Sequence, residues 1–504
     1  MIRRLLLVFF LLAGPLACAG DVATDTLKAD KSIAVLPFAD FSPDGEHAWF
    51  ADGLTDEILN ALARTRDLRV ASRTSSFQYR NTDGDLPRIA TELGVAHILE
   101  GSVRRSGDRL RVTAQLIRAA DDTHLWSDTF DGTTADSIAI QERIALRIAN
   151  ALETAMDPEE LERMLSAGTD SVEAWELYLQ AMALARSDHA SFGEVLRLLE
   201  QAVDLDPGFV DAHLSIASGW LAHLNPSLGG RFEGEISDDE ARQRFYDAIE
   251  RAQDHARSDV MRTEYQALRA RFDIRLLDFL DASRRLAESW PERVEYIAQL
   301  MHAQILVGDY EGARATGLGA KTWVMEQNQT PADIFQYLHR VDVPAALEMA
   351  EAAISAPNAS LHTLYQAHRV FLYAGRIEEA ARLATLHNAR SSDVSSVAMV
   401  DVRQACAENR AAAANRIYED YLASAPSTGI VADNRWLFLQ TLGRYDEAVE
   451  AVRFLDEGNG LYALSGFLNY THFDPRPFPN LLARLEAQGI ERPPAAEIPF
   501  ACGH

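Results

Sequence analysis

Four arginines crowd one predicted turn of this chain. Arg104 and Arg105 precede Ser106-Gly107-Asp108, and Arg109 and Arg111 follow it. Guanidinium groups at that spacing could grip an anion or a carboxylate-bearing partner. The bland alternative is a charged, solvated edge that discourages strand pairing. A second set carries rings: Trp175, Tyr178, His213, Trp220, Tyr296 and His302. Rings of this kind either anchor a partner on a concave surface or fill the space between helices. Cys406 and Cys502 could close a long disulfide loop, or stay apart as a buried thiol and a terminal one. No H-E-x-x-H, G-x-x-x-x-G-K, G-x-S-x-G or C-x-x-C pattern occurs. The expectation is therefore no catalytic residue, no metal site and no cofactor.

The arginines need strands to hold them. Ser32–Phe38 is a short apolar run ending near a proline, which predicts a buried strand. Apolar residues at helical spacing predict a helix over Trp49–Arg64, with Asp52 or Thr55 as its cap. A strand over Leu68–Ala71 and a helix over Leu86–Leu93, stopped by Gly94, follow. Val95–Arg104 and Leu110–Arg118 read as a hairpin. Leu110, Val112, Ala114 and Leu116 alternate with polar residues, so one face is buried and the other wet. A strand over His124–Phe130 and a long helix over Ala135–Met156 close the region.

The rings lie on a different grammar, a repeat with a period of about 34 residues, the length of a helical hairpin unit. Gly308, Gly375 and Gly443 each open a Gly-x-x-x-x-Ala segment, and successive members of the set stand close to two such periods apart. Val341 and Asn409 mark weaker copies between them. A fixed period of this size predicts stacked helical hairpins, about eight of them over residues 171–461. The stretch Asn225–Ser237 breaks the period as an inserted loop.

Charge separates the two regions. The net charge is −27. Residues 21–150 hold 15 basic and 21 acidic residues, or −6; residues 151–504 hold 31 and 54, or −23. Such an acidic region repels nucleic acid and anionic lipid and favours protein partners with basic segments. The oligomeric state is not readable. At the N-terminus, Arg3 and Arg4 precede the apolar run Leu5–Ala13, too short for a membrane span and suited to an export leader. Two cleavage readings stand: before Gly20, giving a soluble product, or at Cys18 with lipidation.

Two blocks carry a resemblance, SIAVLPFADFSPDGEHAWFADGLTDEILNALAR and LGVAHILEGSVRRSGDRLRVTAQLIRAADDTHLWSDTFD. Together they resemble the TolB-like amino-terminal domain of bacterial exported tetratricopeptide-repeat (TPR) proteins. In many relatives that domain follows a DNA-binding winged helix or an adenylate cyclase domain; here an export-type leader runs straight into it. The resemblance implies an α+β, TolB-like amino-terminal domain followed by an all-α TPR solenoid, a right-handed superhelix, with no cyclase activity carried over. The expected organisation is a leader at 1–19, a linker at 20–31, the α/β domain at 32–157, a linker at 158–170, the repeats at 171–461 and a cap at 462–504. The expected function is a non-enzymatic cell-envelope scaffold, periplasmic or anchored as an outer-membrane lipoprotein of a Gram-negative bacterium, its only membrane contact a lipid anchor. The alternative is a ligand-sensing module whose front domain binds a small envelope molecule and whose repeats relay it.

Overall fold

The computed structural model describes residues 31–503 apart from short internal stretches, the longest being 152–168, 186–191, 225–235, 327–331 and 425–431. The leader with Cys18, the linker and most of the inserted loop lie outside the described residues.

The chain begins as an α/β region. Strand β1 (Ser32–Val35) is followed by β2 (Ala39–Asp40), helix α1 (Ala48–Ala63), β3 (Arg69–Val70), a short α2 (Arg73–Ser76) and α3 (Leu86–Leu93). Three long strands follow, β4 (His97–Ser106), β5 (Arg109–Arg118) and β6 (Thr123–Thr133), then α4 (Ser137–Ala151). The sheet order is β3-β1-β4-β5-β6, with β2 beside β4. The strands β1 and β3 run parallel, β1 and β4 likewise, and β4, β5 and β6 are antiparallel. Val103, Leu110, Val112, Ala114 and Leu116 are buried on one face, as the alternation requires.

Two local expectations need correction. Helix α1 starts at Ala48, so Asp52 and Thr55 lie inside it and cap nothing. Thr55, fully buried, instead donates to the Ala51 carbonyl and accepts from the Phe38 amide, satisfying a backbone donor just past Pro37. Asp52 pairs with Arg80. The short β2 and α2 are additions to the expected elements, being too brief to leave a periodic pattern.

The rest is mostly helical: α5 (Val172–Ala185), α6 (Phe192–Leu205), α7 (Val210–Leu224), α8 (Asp238–Asp254), α9 (Asp259–Phe272), α10 (Leu276–Ser289), α11 (Val294–Val307) and α12 (Tyr310–Glu326). Then come α13 (Ala332–Leu338), α14 (Val343–Ser355), α15 (Leu361–Tyr373), α16 (Ile377–Arg390), α17 (Val394–Ala407), α18 (Ala411–Ser424), α19 (Ala432–Thr441) and α20 (Tyr445–Val452). They pack as consecutive pairs, from α5 with α6 to α19 with α20. First helices also meet across pairs: α11 with α13, α13 with α15, α15 with α17, and α17 with α19. The chain ends with α21 (Gly460–Gly466), α22 (Pro479–Glu486) and an irregular segment to Gly503.

The α/β region shares a core with the first helix pairs. Trp175 on α5 is fully buried edge-to-face on Phe50 of α1, centroids 5.7 Å apart. A Cβ on Gly53 would stand 2.8 Å from Leu179, so α1 and α5 touch almost backbone to side chain. Arg105 on β4 pairs with Glu176 on α5 at 3.0 Å.

The turns between paired helices explain the repeat period. Gly308, Gly375 and Gly443 adopt φ of 83°, 71° and 72°, and Asn409 adopts 58°. The left-handed conformation ends one helix and redirects the chain into the next, and glycine or asparagine tolerates it best. At Gly443 there is also no room. A Cβ there would lie 2.4 Å from the Cys502 carbonyl oxygen. We expect Gly443→Val to destabilise the protein by about 2–4 kcal/mol, from backbone strain and a backbone clash together. Chemical denaturation measures this; a midpoint unchanged from wild type would contradict the tight turn.

Candidate functional site

The helices α13, α15 and α17 bring unusual residues into one place. Arg340 follows the last turn of α13, Arg369 lies on α15 and Arg403 on α17. They share a cavity with His339, Tyr373, Leu437, Thr441, Tyr470, Thr471, His472, Ile498 and Phe500. Its free space, partly open to solvent, is about 370 Å³, of which about 20 Å³ can be reached by the centre of a water-sized sphere. That is room for about one water-sized group.

Arg403 is 3% exposed and Arg369 8% exposed. Arginines are rarely that buried unless paired with an acid. Among the described residues, Arg340, Arg369 and Arg403 form no ion pair with any carboxylate. Arg340 donates to the Asn469 carbonyl. Arg369 donates through one nitrogen to the Gln366 side chain at 2.6 Å and to the Gln336 carbonyl at 3.4 Å. Its Nε has no partner, and neither does Nη1 of Arg403. The Arg403 guanidinium lies 4.9 Å over the Tyr365 ring, a cation–π contact that orients it without neutralising it.

The field of these groups is visible in their neighbours. Burial and the adjacent positive charges of Arg340 and Arg403 push Arg369 down to about 10. Burial also lowers Arg340. His472 is held down at about 3 by burial and by Arg340, Arg369 and Arg403. Burial and the same three arginines hold His339 well below its ordinary value. His368, beside Arg403, and His302, beside Arg271 and Arg340, also fall to about 3, with burial the largest cause in each. The imidazoles are thus neutral and the guanidiniums charged. Buried unpaired cations are costly, by several kcal/mol each, unless an anion joins them. The chemistry on offer is recognition of a small oxyanion by fork-shaped donors.

A roomier hollow, about 980 Å³ of free space, lies between α9 and α10. Its arginines are already matched: Arg275 pairs with Asp278 at 2.5 Å, Arg285 with Asp281 at 3.3 Å, and Arg269 with Asp273 at 4.0 Å. It offers no unbalanced charge to a ligand.

The residues singled out from sequence lie elsewhere. Arg111 makes two bonds to Asp131, and Arg105 is taken by Glu176. Arg104 reaches the Phe41 carbonyl at 3.2 Å, and Arg109 is exposed at the hairpin end. These four do not converge on one ligand. Trp175 and Trp220 are fully buried and His213 is 2% exposed, its ring bonded to the Pro207 carbonyl. They are core, because their apolar surface is worth more between helices than facing water. Tyr178 is half-buried against Phe209, and the Tyr296 hydroxyl donates to Glu264. Of that set only His302, stacked on Tyr337 with centroids 5.6 Å apart, approaches the arginines. Cys406 and Cys502 are joined by a disulfide, S–S 2.09 Å. Among the described residues no group of three or more His, Cys, Asp or Glu side chains could hold a metal ion.

Sequence reasoning passed over Arg369 and Arg403. A signal existed: they stand one repeat period apart, each inside a run of helix with few other charges, Ala367–Leu372 and Val402–Ala407.

Comparison with known proteins alters the expected identity. Residues 29–147 match the family model of the HilA/YgeH-like transcriptional regulator, second domain. The chain is also similar to a putative adenylate cyclase 3 of Rhizobium meliloti (strain 1021), 38% identical over 192 residues. That stretch covers 38% of this chain and 33% of the relative, so the match spans about a third of the relative's length. The resemblance to the TolB-like and TPR families is thereby corrected, since the matching family is a regulator's domain. The cell-envelope scaffold, its sensing alternative and the export-related labels that accompanied them are overturned by the same two matches. The expectation of a non-enzymatic protein is corrected too, because the curated relative carries an enzyme's name.

Proposed function

We propose that this chain is a signalling regulator whose helical part is the receptor for a compact oxyanion-bearing ligand. The single observation that carries the reading is the pair Arg369 and Arg403, buried with unpaired donors and no carboxylate partner among the described residues. In a chain of net charge −27, acids are plentiful, yet among the described residues none pairs with these two. On this reading the helix pairs stack as a right-handed solenoid, first helices inward, so that one arginine per repeat faces a common interior. The α/β region, shared with a transcriptional regulator and packed on α5, passes the ligand's effect onward. The similarity to a protein named as a cyclase also favours signalling, since both names belong to the output side of regulatory systems.

The experiment is thermal unfolding of the full chain with inorganic phosphate, with a dicarboxylate such as malonate, and with sodium chloride at matched ionic strength. A ligand at 100 times its Kd should stabilise by about 2.7 kcal/mol. The phosphate and dicarboxylate arms separate the two oxyanion sources. We expect Arg369→Gln and Arg403→Gln to weaken binding more than tenfold. We also expect each to unfold no more easily than wild type in anion-free buffer, because each removes an unpaired buried charge. A wild type that responds to all three salts alike, both oxidised and reduced, would overturn the reading.

A further inference from the structure

The cavity wall is completed by the C-terminal segment, whose Ile498, Phe500 and Ala501 also pack into the core of the helical part. Tyr470, Thr471 and His472 form part of it, and Ile498 and Phe500 come from the irregular C-terminal stretch. Phe500 packs edge-on against Tyr373, centroids 5.3 Å apart, and His472 stacks on Trp436 at 5.3 Å. Residues 493–497 are exposed and carry no regular structure. The stretch is held at a few points: Ala496 N–H to the Thr471 carbonyl, Cys502 N–H to the Thr441 carbonyl, and Arg492 to the Ile305, Leu306 and Leu468 carbonyls. Its one covalent fastening is the Cys502–Cys406 bond. Cys406 lies on α17 one helical turn beyond Arg403, so the same turn carries both the anchor and an anion-binding donor.

From this juxtaposition we infer that the C-terminal segment is a strap that closes the anion site, latched in place by the Cys406–Cys502 disulfide. The inference rests on the receptor reading above and adds its regulation. With the strap down, the space reachable by water-sized centres is about 20 Å³, too little for more than about one water-sized group. A larger oxyanion enters only when Ile498 and Phe500 swing away. Reduction permits that. A dithiol reductant attacks one sulfur as a thiolate; the Cys406–Cys502 bond breaks and a mixed disulfide forms. The reductant's second thiolate then displaces the remaining cysteine. Two electrons and two protons have moved, leaving two cysteine thiols and an oxidised, cyclic reductant. Gly503, beside Cys502, is exposed to solvent, which is the side from which a reductant approaches.

The test follows pyrophosphate and inorganic phosphate binding to the full-length protein, oxidised and after dithiothreitol treatment, by stopped-flow. The expected result is association of pyrophosphate at least tenfold faster in the reduced protein, with Cys502→Ala fast in both conditions and indifferent to dithiothreitol. Hydrogen exchange supplies the second readout: residues 491–503 should lose protection on reduction while Val394–Ser424 keeps it. Equal association rates with and without the bond, or unchanged protection of the segment, would overturn the strap while leaving the receptor intact. Binding of neither anion in either redox state would overturn the receptor itself. If Cys502→Ala fails to fold, the dithiothreitol arm on wild-type protein still decides.

Discussion

Lowering the pH from 6.5 to 5 should destabilise the helical part by about 4 kcal/mol. Buried histidines drive this, His339 and His213 among them. His302, His368 and His472 each have a folded-state value of about 3. An unfolded histidine titrates near 6.5, so between about pH 6.5 and 3 the unfolded chain binds more protons than the folded one. Stability is complete above pH 6.5 and falls as the pH drops through that window. A fully buried histidine of this kind loses about 2 kcal/mol by pH 5. His368 is 0% exposed and meets that condition. It faces Arg403, Gln404 and His387, and its ring bonds to the Gln404 side chain at 3.2 Å. His302 and His472 are half-buried and contribute less. Urea titrations across the range measure the slope, and His368→Gln should remove part of it. Phosphate at saturating level should flatten the curve, because a bound anion offsets the arginine charge that adds to burial in keeping these rings neutral. A stability unchanged between pH 6.5 and 5 would show that the rings are not held in that field.

Replacing Trp220 by alanine should cost about 3–5 kcal/mol, the range for emptying a large buried aromatic site. Trp220 sits on α7 with no exposed surface. Phe192 meets its ring edge-on at 6.0 Å between centroids, His223 at 5.8 Å, and the Arg244 guanidinium covers it at 5.0 Å. Those partners come from α6, α7 and α8, so the indole ties two successive helix pairs together. Trp220→Phe should cost less, since most of the apolar contact survives. Denaturant unfolding reads both. If Trp220→Ala melted like wild type while losing affinity for a protein partner, the indole would be a surface anchor and not part of the helix packing.

The latch carries a separate stabilising role. A bond closing a loop of 96 residues is worth about 4–5 kcal/mol in the chain-entropy account. Its loss and the opening of the strap must therefore be separated, which is why segment-resolved hydrogen exchange accompanies the binding rates.

Much of the fold was legible because it depends on local chemistry. Period-two alternation in Leu110–Leu116 needed only the rule that neighbouring strand residues face opposite sides, and the hairpin of β4 and β5 follows it. The turns at Gly308, Gly375 and Gly443 were legible because the left-handed conformation selects glycine wherever it occurs. The site was not legible. A ring or an arginine on a first helix has one identity in sequence and two fates in space, and the fate depends on what the next pair presents to it. Trp175 and Trp220 looked like anchors and became core because α1 and α6 bring Phe50 and Phe192 against them. Arg104, Arg105, Arg109 and Arg111 looked like an anion grip because they are close in sequence, yet Asp131 and Glu176 neutralise two of them. Arg340, Arg369 and Arg403 are scattered over three successive repeats and meet only when α13, α15 and α17 stack. The sequence by itself determined an α/β region followed by helices, and the glycine turns between them, since each is written in short-range preferences of the backbone. Only the tertiary structure decided which charges are paired and which are left unpaired, because burial and electrostatic balance depend on neighbours that the chain order does not reveal.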